Sequence, residues 1–350
     1  MKILVTGNMG YVGPLVLRRL RESNPQATLV GYDMGYFAHC LTGASRLPES
    51  RADQQHFGDI RQVPEQILQG VDAIVHLCAI SNDPMGATFE KVTLDINHRA
   101  SIDLARKAKR AGVKKFVFAS SCSVYGFAEG GPRREEDALN PLTAYAKSKV
   151  QTEQDLESLA SESFTATCLR FATACGMSDR LRLDLVLNDF VAGALASKRI
   201  SILSDGTPWR PLIHVKDMAR AIDWAVQRDS RDGGSFLTVN AGSDAWNYQV
   251  KDLAAAVANL VPNVEVLINK DAQPDKRSYR VNFDKFSKLA QGFLPMVDLQ
   301  SAVKDLHDGL RAMQFGDQEF RTGELIRLVT LKRLRESGQL TDDLVWKERS

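Results

Sequence analysis

The chain has 350 residues, of which 44% are hydrophobic and 25% charged, and its formal net charge is +2. This composition is that of a globular enzyme and excludes a disordered or fibrous protein. The basic residues are scattered along the chain, so the charge pattern predicts no nucleic-acid partner. No apolar run approaches the length of a membrane span, and the N-terminal MKILVTG leaves no room for a signal peptide, so we expect a cytoplasmic protein with no membrane partner.

The first half of the chain alternates short apolar runs with longer segments of helical periodicity, which predicts a parallel sheet covered by helices. The predicted strands are 2–6, 28–33, 54–58, 73–78, 115–119 and 165–170. The predicted helices are 11–22, 88–111 and 141–160. After Arg170 the elements become shorter and turn residues more frequent. We therefore predict an α/β fold, a Rossmann-type doubly wound parallel sheet with a smaller C-terminal substrate lobe.

The last segment of the chain predicts one more helix. From Glu319 onward Leu325, Leu328, Val329 and Leu331 fall on or near one face of an amphipathic helix, and Gly338 suits its end. We expect this helix to pack on its own chain rather than recruit a partner.

The five cysteines, Cys40, Cys78, Cys122, Cys168 and Cys175, form no CxxC pair and have no histidine at metal-ligand spacing. They are interpreted as reduced thiols that fill the core, and no metal site is predicted.

A glycine-rich loop follows the first strand. The stretch TGNMGYVG, residues 6–13, places Gly7, Gly10 and Gly13 between a strand and a helix. Glycines here allow a tight turn, the approach of a pyrophosphate to the helix N-terminus, and close packing of helix on strand. The loop, with Tyr11 and Val12, is therefore a candidate dinucleotide site.

The second strand ends in Asp33, where a dinucleotide fingerprint has an acid that accepts hydrogen bonds from the adenosine ribose. A carboxylate there repels the additional phosphate of NADP, so the predicted cofactor is NAD. Further candidates follow the third and fourth strands, where side chains could contact the adenine or line the cofactor. These are Asp59, Ile60, Leu77 and Ala79.

A candidate proton-transfer pair lies in TAYAKSK, residues 143–149. Tyr145 and Lys149 are four residues apart on a predicted helix and so share a face. A free tyrosine has a pKa near 10, but a neighbouring ammonium and a positive nicotinamide favour the phenolate and lower that pKa. Tyr145 is therefore the predicted general base.

Together these motifs resemble the extended short-chain dehydrogenase/reductase superfamily, and specifically its NAD-dependent nucleotide-sugar epimerase/dehydratase family. The resemblance rests on TGNMGYVG, Asp33, the serine after the fifth strand and YAKSK. It continues in RPLIHVKDMARA at 210–221 and QPDKRSYRVNFDK at 273–285, and so covers nearly the whole chain.

The resemblance implies a role for each matching position. Ser121 would hydrogen-bond the substrate, Tyr145 would transfer the proton, and Lys149 would tune Tyr145 and hold the nicotinamide ribose. Arg210 and Arg277 would bind the diphosphate of a nucleotide-diphosphate sugar, a role that suits guanidinium geometry.

Other implications concern supporting contacts and assembly. Thr173 stands where many members have a substrate-contacting asparagine, and Asn97 matches a supporting asparagine on the long helix. The resemblance also implies a homodimer through helices 88–111 and 141–160. Residues 1–170 would form the NAD-binding domain with the catalytic residues, and 171–350 mainly a substrate-binding lobe with returning strands and a helical tail.

The residues of the site do not by themselves decide which reaction of the family this chain catalyses. Dehydratases of the family that remove water across C5 and C6 carry an Asp-Glu pair directly after the catalytic serine or threonine, whereas this chain has Cys122 and Ser123. We therefore favour an epimerase, most simply at C4 through a transient keto intermediate, over a 4,6-dehydratase. A nucleotide-sugar 4-ketoreductase and a non-catalytic dinucleotide-binding regulator remain alternatives.

Overall fold

The computed structural model describes residues 1–128, 130–269, 272 and 278–347. Its strands are β1 Lys2–Thr6, β2 Thr28–Asp33, β3 Gln54–Phe57, β4 Ala73–His76, β5 Lys115–Ser121, β6 Thr165–Phe171, β7 Thr173–Cys175, β8 Arg199–Ile202, β9 Trp209–His214, β10 Phe236–Ala241, β11 Asn247–Gln249 and β12 Glu265–Ile268. Its helices are α1 Gly13–Ser23, α2 Asp83–Thr88, α3 Glu90–Leu94, α4 Ser101–Arg110, α5 Ala144–Leu159, α6 Val186–Ser197, α7 Val215–Gln227, α8 Val250–Leu260, α9 Asp284–Leu289, α10 Leu299–Ala312 and α11 Arg327–Glu336.

A seven-stranded sheet forms the centre of the molecule, in the order β10-β6-β5-β4-β1-β2-β3 with every pair parallel. The strand order reverses between β1 and β4. In sheets of this kind ligands bind at that reversal, beyond the carboxyl ends of the strands. The predicted Rossmann-type sheet is thus confirmed, and its reversal indicates where a ligand site should lie.

All six predicted strands are present, and their ends differ from the prediction by at most two residues. The predicted long helix 88–111 is divided into α3, a π-helical segment Asp95–Ala100 and α4. Asn97 in this segment accepts a hydrogen bond from the Ile80 amide at 2.8 Å and donates one to the Ile80 carbonyl at 3.0 Å. It therefore holds the chain that leaves β4, which agrees with the supporting role implied for it.

The second half of the chain adds two small sheets beside the large one, β7-β9-β11 and β8-β12, and returns β10 to the edge of the large sheet. The C-terminal helix is present, but it begins at Arg327, after Leu325. Leu331 is buried and Leu328 packs, half-buried, against the same apolar cluster, as predicted, but Arg327 and Thr330 are buried as well. Arg327 lines a cavity, described below, and the Thr330 hydroxyl donates to the Glu324 carbonyl at 2.8 Å.

The core contains the five cysteines, all of them free; four are buried and Cys78 is half-buried. No helix in the described ranges is long and apolar enough to cross a membrane. The outward faces of the two long helices are polar, with Arg99 and Arg106 on one and Lys147 and Gln151 on the other. The homodimer through these helices stays a prediction.

Candidate active site

A cavity of 1170 Å³ lies at the carboxyl ends of the central strands. Of the residues predicted for the site, the following line it: Gly7, Gly10, Tyr11, Val12, Asp33, Asp59, Ile60, Leu77, Ala79, Ser121, Tyr145, Lys149, Thr173 and Arg210. Gly13, also predicted for the site, does not line this cavity. Arg277 falls outside the described residues.

The glycine loop has no room for side chains at two of its positions. Gly7 has φ +76°, and a Cβ there would lie 2.6 Å from the Cys78 amide nitrogen. At Gly13 a Cβ would lie 2.0 Å from the Asn8 carbonyl oxygen, so this glycine permits close packing inside the loop rather than ligand contact. The loop thus leaves backbone facing the cavity at the N-terminus of α1, which fits the pyrophosphate of a dinucleotide.

Asp33, at the end of β2, faces this loop. Its carboxylate accepts hydrogen bonds from the amides of Met9 at 2.9 Å and Gly35 at 2.8 Å. Burial raises the pKa of Asp33, and the two amides oppose that shift. Because each carboxylate oxygen can accept more than one hydrogen bond, both remain able to accept from a ribose hydroxyl.

The predicted adenine wall is assembled from neighbouring strand ends. Ile60, Leu77 and Ala79 line the cavity as expected. Asp59 also lines it, but Arg61 donates to both of its carboxylate oxygens, with a shortest separation of 2.5 Å. The Asp59 side chain is therefore already neutralised within the protein.

Ser121, Tyr145 and Lys149 converge at the centre of the cavity. Ser121 ends β5, and Thr143 caps the N-terminus of α5 by accepting from the Ala146 amide at 3.1 Å. The Ser121 side chain lowers the pKa of Tyr145, against the effect of burial, and its hydroxyl accepts from the Ser123 amide at 3.2 Å. The Lys149 ammonium donates to the Ala119 carbonyl at 2.7 Å and lies 5.5 Å from the centre of the Tyr145 ring.

Burial dominates the electrostatics of this group. Burial raises the pKa of Tyr145 to about 12, and Asp83 and Cys122 add to the rise. Without a bound nicotinamide, desolvation of the phenolate dominates. The predicted lowering, which includes the charge of that nicotinamide, stays a prediction. Burial also lowers the pKa of Lys149, to about 8, so at pH 7 Tyr145 is neutral whereas Lys149 is still mostly protonated.

A buried ion pair lies directly behind the catalytic strand. Arg170 on β6 donates to Glu153 on α5, with a shortest separation of 2.7 Å, and the Ser120 hydroxyl donates to Glu153 at 2.5 Å. These contacts join β5, β6 and α5, and thereby fix the strand that carries Ser121 against the helix that carries Tyr145.

The sequence interpretation missed a group at the opposite wall. Arg182 donates to both oxygens of Asp184, each at 2.9 Å, and to the Ser81 hydroxyl at 3.0 Å. Asn82 donates to Asp184 at 2.9 Å. No motif in the sequence marks these residues; the alternation in RLRLD suggests only a strand. Among the described residues, no three His, Cys, Asp or Glu side chains form a group that could hold a metal ion.

Comparison with known proteins identifies the family. Residues 3–242 match the model of the NAD dependent epimerase/dehydratase family. The chain is 30% identical over 261 residues to a UDP-glucose 4-epimerase of Azospirillum brasilense, covering 69% of this chain and 72% of the relative. It is 28% identical over 310 residues to a dTDP-glucose 4,6-dehydratase of Streptomyces griseus, covering 86% and 91%.

A solved structure has the same fold over nearly its whole length. It is the UDP-glucose-4-epimerase of Stenotrophomonas maltophila with bound NAD and formylated UDP-arabinopyranose; the TM-score is 0.75, the identity 25%, and 90% of this chain and 99% of that one are covered. The predicted cofactor, NAD, is the cofactor of the matched family, and the glycine loop and Asp33 fit it. The chain therefore belongs to the NAD dependent epimerase/dehydratase family.

Proposed function

We propose that this protein is a nucleotide-sugar epimerase that inverts C4 through a transient keto intermediate, with Ser121, Tyr145 and Lys149 as its catalytic residues. The observation that carries the proposal is the convergence of these three side chains in one cavity. The glycine loop and Asp33 line the same cavity, as do Thr173 and Arg210.

In this proposal residues of the chain itself accept the proton of the sugar hydroxyl and return it. Tyr145 takes the proton of the sugar hydroxyl, and Ser121 orients that hydroxyl by hydrogen bonding. When bound, NAD supplies a hydride acceptor at the sugar carbon and later the donor. The positive charges of Lys149 and of the nicotinamide favour the phenolate of Tyr145 against the burial that raises its pKa. Return of the proton from Tyr145 completes a cycle without net oxidation.

Substrate recognition in this proposal uses the other end of the cavity. Arg210 lies on β9, whose neighbour β7 carries Thr173. We assign Arg210 to the diphosphate of a nucleotide-diphosphate sugar and Thr173 to the sugar. Arg277 keeps its predicted diphosphate role, although it lies outside the described residues.

Two observations support epimerisation over loss of water. The relatives include enzymes of both kinds, a 4-epimerase and a 4,6-dehydratase. Cys122 is fully buried, and its thiol donates to the Arg170 carbonyl, so it faces away from the cavity. The carboxylates that line the cavity in the described part of the chain all have partners. They are Asp33 with backbone amides, Asp59 with Arg61, Asp83 with Thr143, Asp184 with Arg182, and Asp189 with Arg321.

The test is turnover of a panel of UDP-, GDP-, dTDP- and CDP-sugars, with products identified by NMR. Stoichiometric NAD in the desalted protein, together with a C4-inverted product and no added cofactor, is the expected result. A 4-keto-6-deoxy product would show a dehydratase, and turnover only with added NADH or NADPH would show a reductase. NAD binding without any turnover across the panel would favour a regulator.

Asp33→Asn should reverse the preference between dinucleotides. The loss of charge removes both a hydrogen-bond acceptor for the ribose and the repulsion of a 2′-phosphate, while the amide keeps the side-chain shape. We expect NAD to bind about 10-fold more weakly and NADP to bind at least as tightly as before. Calorimetric titration measures both. Asp53→Asn, outside the cavity, is the control; an unchanged NAD-to-NADP ratio in Asp33→Asn would contradict the role of Asp33.

A further inference from the structure

The C-terminal segment, residues 320–346, lies beyond the part of the chain that matches the family, which ends at residue 242. It is tied to the two loops that frame the proposed adenosine site. The Trp346 indole donates to the Met34 carbonyl at 2.7 Å, and the Tyr36 hydroxyl donates to the Leu344 carbonyl. Arg61 donates to the Asp343 carbonyl at 2.8 Å. The segment thus crosses the chain immediately after Asp33 and Asp59.

Four residues of this segment line the cavity, Arg321, Ile326, Arg327 and Leu328. Of the two arginines among them, Arg321 is paired with Asp189. Arg327, the first residue of α11, lines the cavity and is 1% exposed. Its Nη2 donates to the carbonyls of Arg180 at 2.9 Å and Leu181 at 3.1 Å, and its guanidinium lies 4.6 Å from the centre of the Phe37 ring. Its Nη1 is buried and has no hydrogen-bond partner within the described ranges.

The charge around Arg327 is not balanced by the protein. Arg180 pairs with Glu49, and Arg182 pairs with Asp184. Among the described residues Arg327 makes no ion pair. Within that part of the chain the three arginines therefore have only two paired carboxylates among them, those of Glu49 and Asp184. Burial lowers the pKa of Arg327 to about 10; Arg182 and Arg180 add to the fall, and Asp184 opposes it only in part. A buried cation without a partner is unfavourable, and an anionic ligand would offset that cost.

The surroundings of Arg327 lead directly to the glycine loop. The chain segment whose carbonyls it binds, residues 178–182, lies against that loop, since the Ser178 hydroxyl donates to the Tyr11 carbonyl at 2.6 Å. Gly10 and Val12 line the same cavity as Arg327. The glycine loop is the predicted binding site of a pyrophosphate. We therefore expect that pyrophosphate to be the negatively charged ligand group nearest to Arg327.

We propose that Arg327 is a phosphate ligand of the dinucleotide, donating from Nη1 to its pyrophosphate, and that residues 320–346 close the adenosine end of the site. This inference rests on the proposed function only for the identity of the dinucleotide. It adds to the site a residue that neither the glycine loop nor the family match contains. A cofactor covered in this way stays bound between turnovers, as a transient hydride carrier must.

The test compares the full-length protein with Arg327→Gln, Arg327→Lys and the control Lys332→Gln, which removes an exposed charge from the same helix. ADP-ribose and UDP are titrated by calorimetry, adenosine by NMR, and thermal unfolding is recorded for each variant. Arg327→Gln should bind ADP-ribose about 10- to 100-fold more weakly, the range of one charge-assisted hydrogen bond. Adenosine and UDP should bind within twofold of the unaltered protein, as should all three ligands to Lys332→Gln.

Each other outcome has a separate meaning. Equal losses for ADP-ribose and adenosine, or no loss at all in folded Arg327→Gln, overturn the proposal. A loss confined to UDP assigns Arg327 to the substrate diphosphate and overturns it as well. If Arg327→Gln does not fold, Arg327→Lys decides by the same ratio of ADP-ribose to adenosine binding. Failure of the unaltered protein to bind ADP-ribose would instead disprove the dinucleotide site itself.

Discussion

Tyr145→Phe is expected to lower turnover about 1,000-fold or more while leaving NAD bound. The substitution removes only the phenolic oxygen, which is the proposed proton acceptor and whose pKa the Ser121 side chain lowers. General acid–base groups contribute about 10²- to 10⁴-fold to rate. The ring itself stays against the cavity wall and keeps its contact with Lys149. Measuring kcat by NMR of the product, and NAD content by absorbance after desalting, separates the chemical step from cofactor binding.

The matched control is Tyr125→Phe. Tyr125 is buried one turn after Ser121 and outside the cavity; its hydroxyl donates to Asn240 at 2.7 Å and accepts from Arg170 at 3.0 Å. Loss of this hydroxyl should cost about 1–3 kcal/mol of stability and leave kcat within about threefold. If Tyr145→Phe lost no more activity than Tyr125→Phe, Tyr145 would not be the proton-transfer residue.

Lys149→Met is expected to abolish most turnover and at the same time to stabilise the fold near neutral pH. Lys149 is 3% exposed, and burial lowers its pKa to about 8 from an unfolded value of about 10.4. Below pH 8 the lysine is charged in both states, so the folded state carries the full desolvation cost. As pH rises from 8 to about 10.4, the folded protein releases this proton before the unfolded chain does, and the cost disappears.

Urea unfolding at pH 7 and pH 10 measures this directly. At pH 7 we expect Lys149→Met to raise the free energy of unfolding by about 1–3 kcal/mol, and by pH 10 most of that gain should be gone. Turnover should fall about 100-fold or more, because the charge that favours the phenolate of Tyr145 is lost. Lys147→Met, on the exposed side of α5, should change neither quantity; a gain that is the same at both pH values would contradict the buried-charge explanation.

Much of this site was predictable because its motifs are local. Gly7, Gly10 and Gly13 follow a strand at fixed spacing, and Asp33 ends the next strand, so the order of the parallel strands brings them to one edge. Helical periodicity alone puts Tyr145 and Lys149 on one face. The length and apolar content of each segment likewise predicted six of the seven strands of the large sheet, with ends correct to within two residues; β10 was not among them.

Only the tertiary structure determined the electrostatics and the far wall of the cavity. Burial, which no local pattern reports, raises the pKa of Tyr145 in the protein without its dinucleotide. Arg182 and Arg327 reach the cavity because distant segments pack over the glycine loop; Trp346 binds the carbonyl of Met34, 312 residues away. The sequence by itself determined which residues follow each strand. The side chains, charges and carbonyls around those residues come from remote segments of the chain. Contacts between such segments form only when the whole chain has packed, so only the tertiary structure decided them.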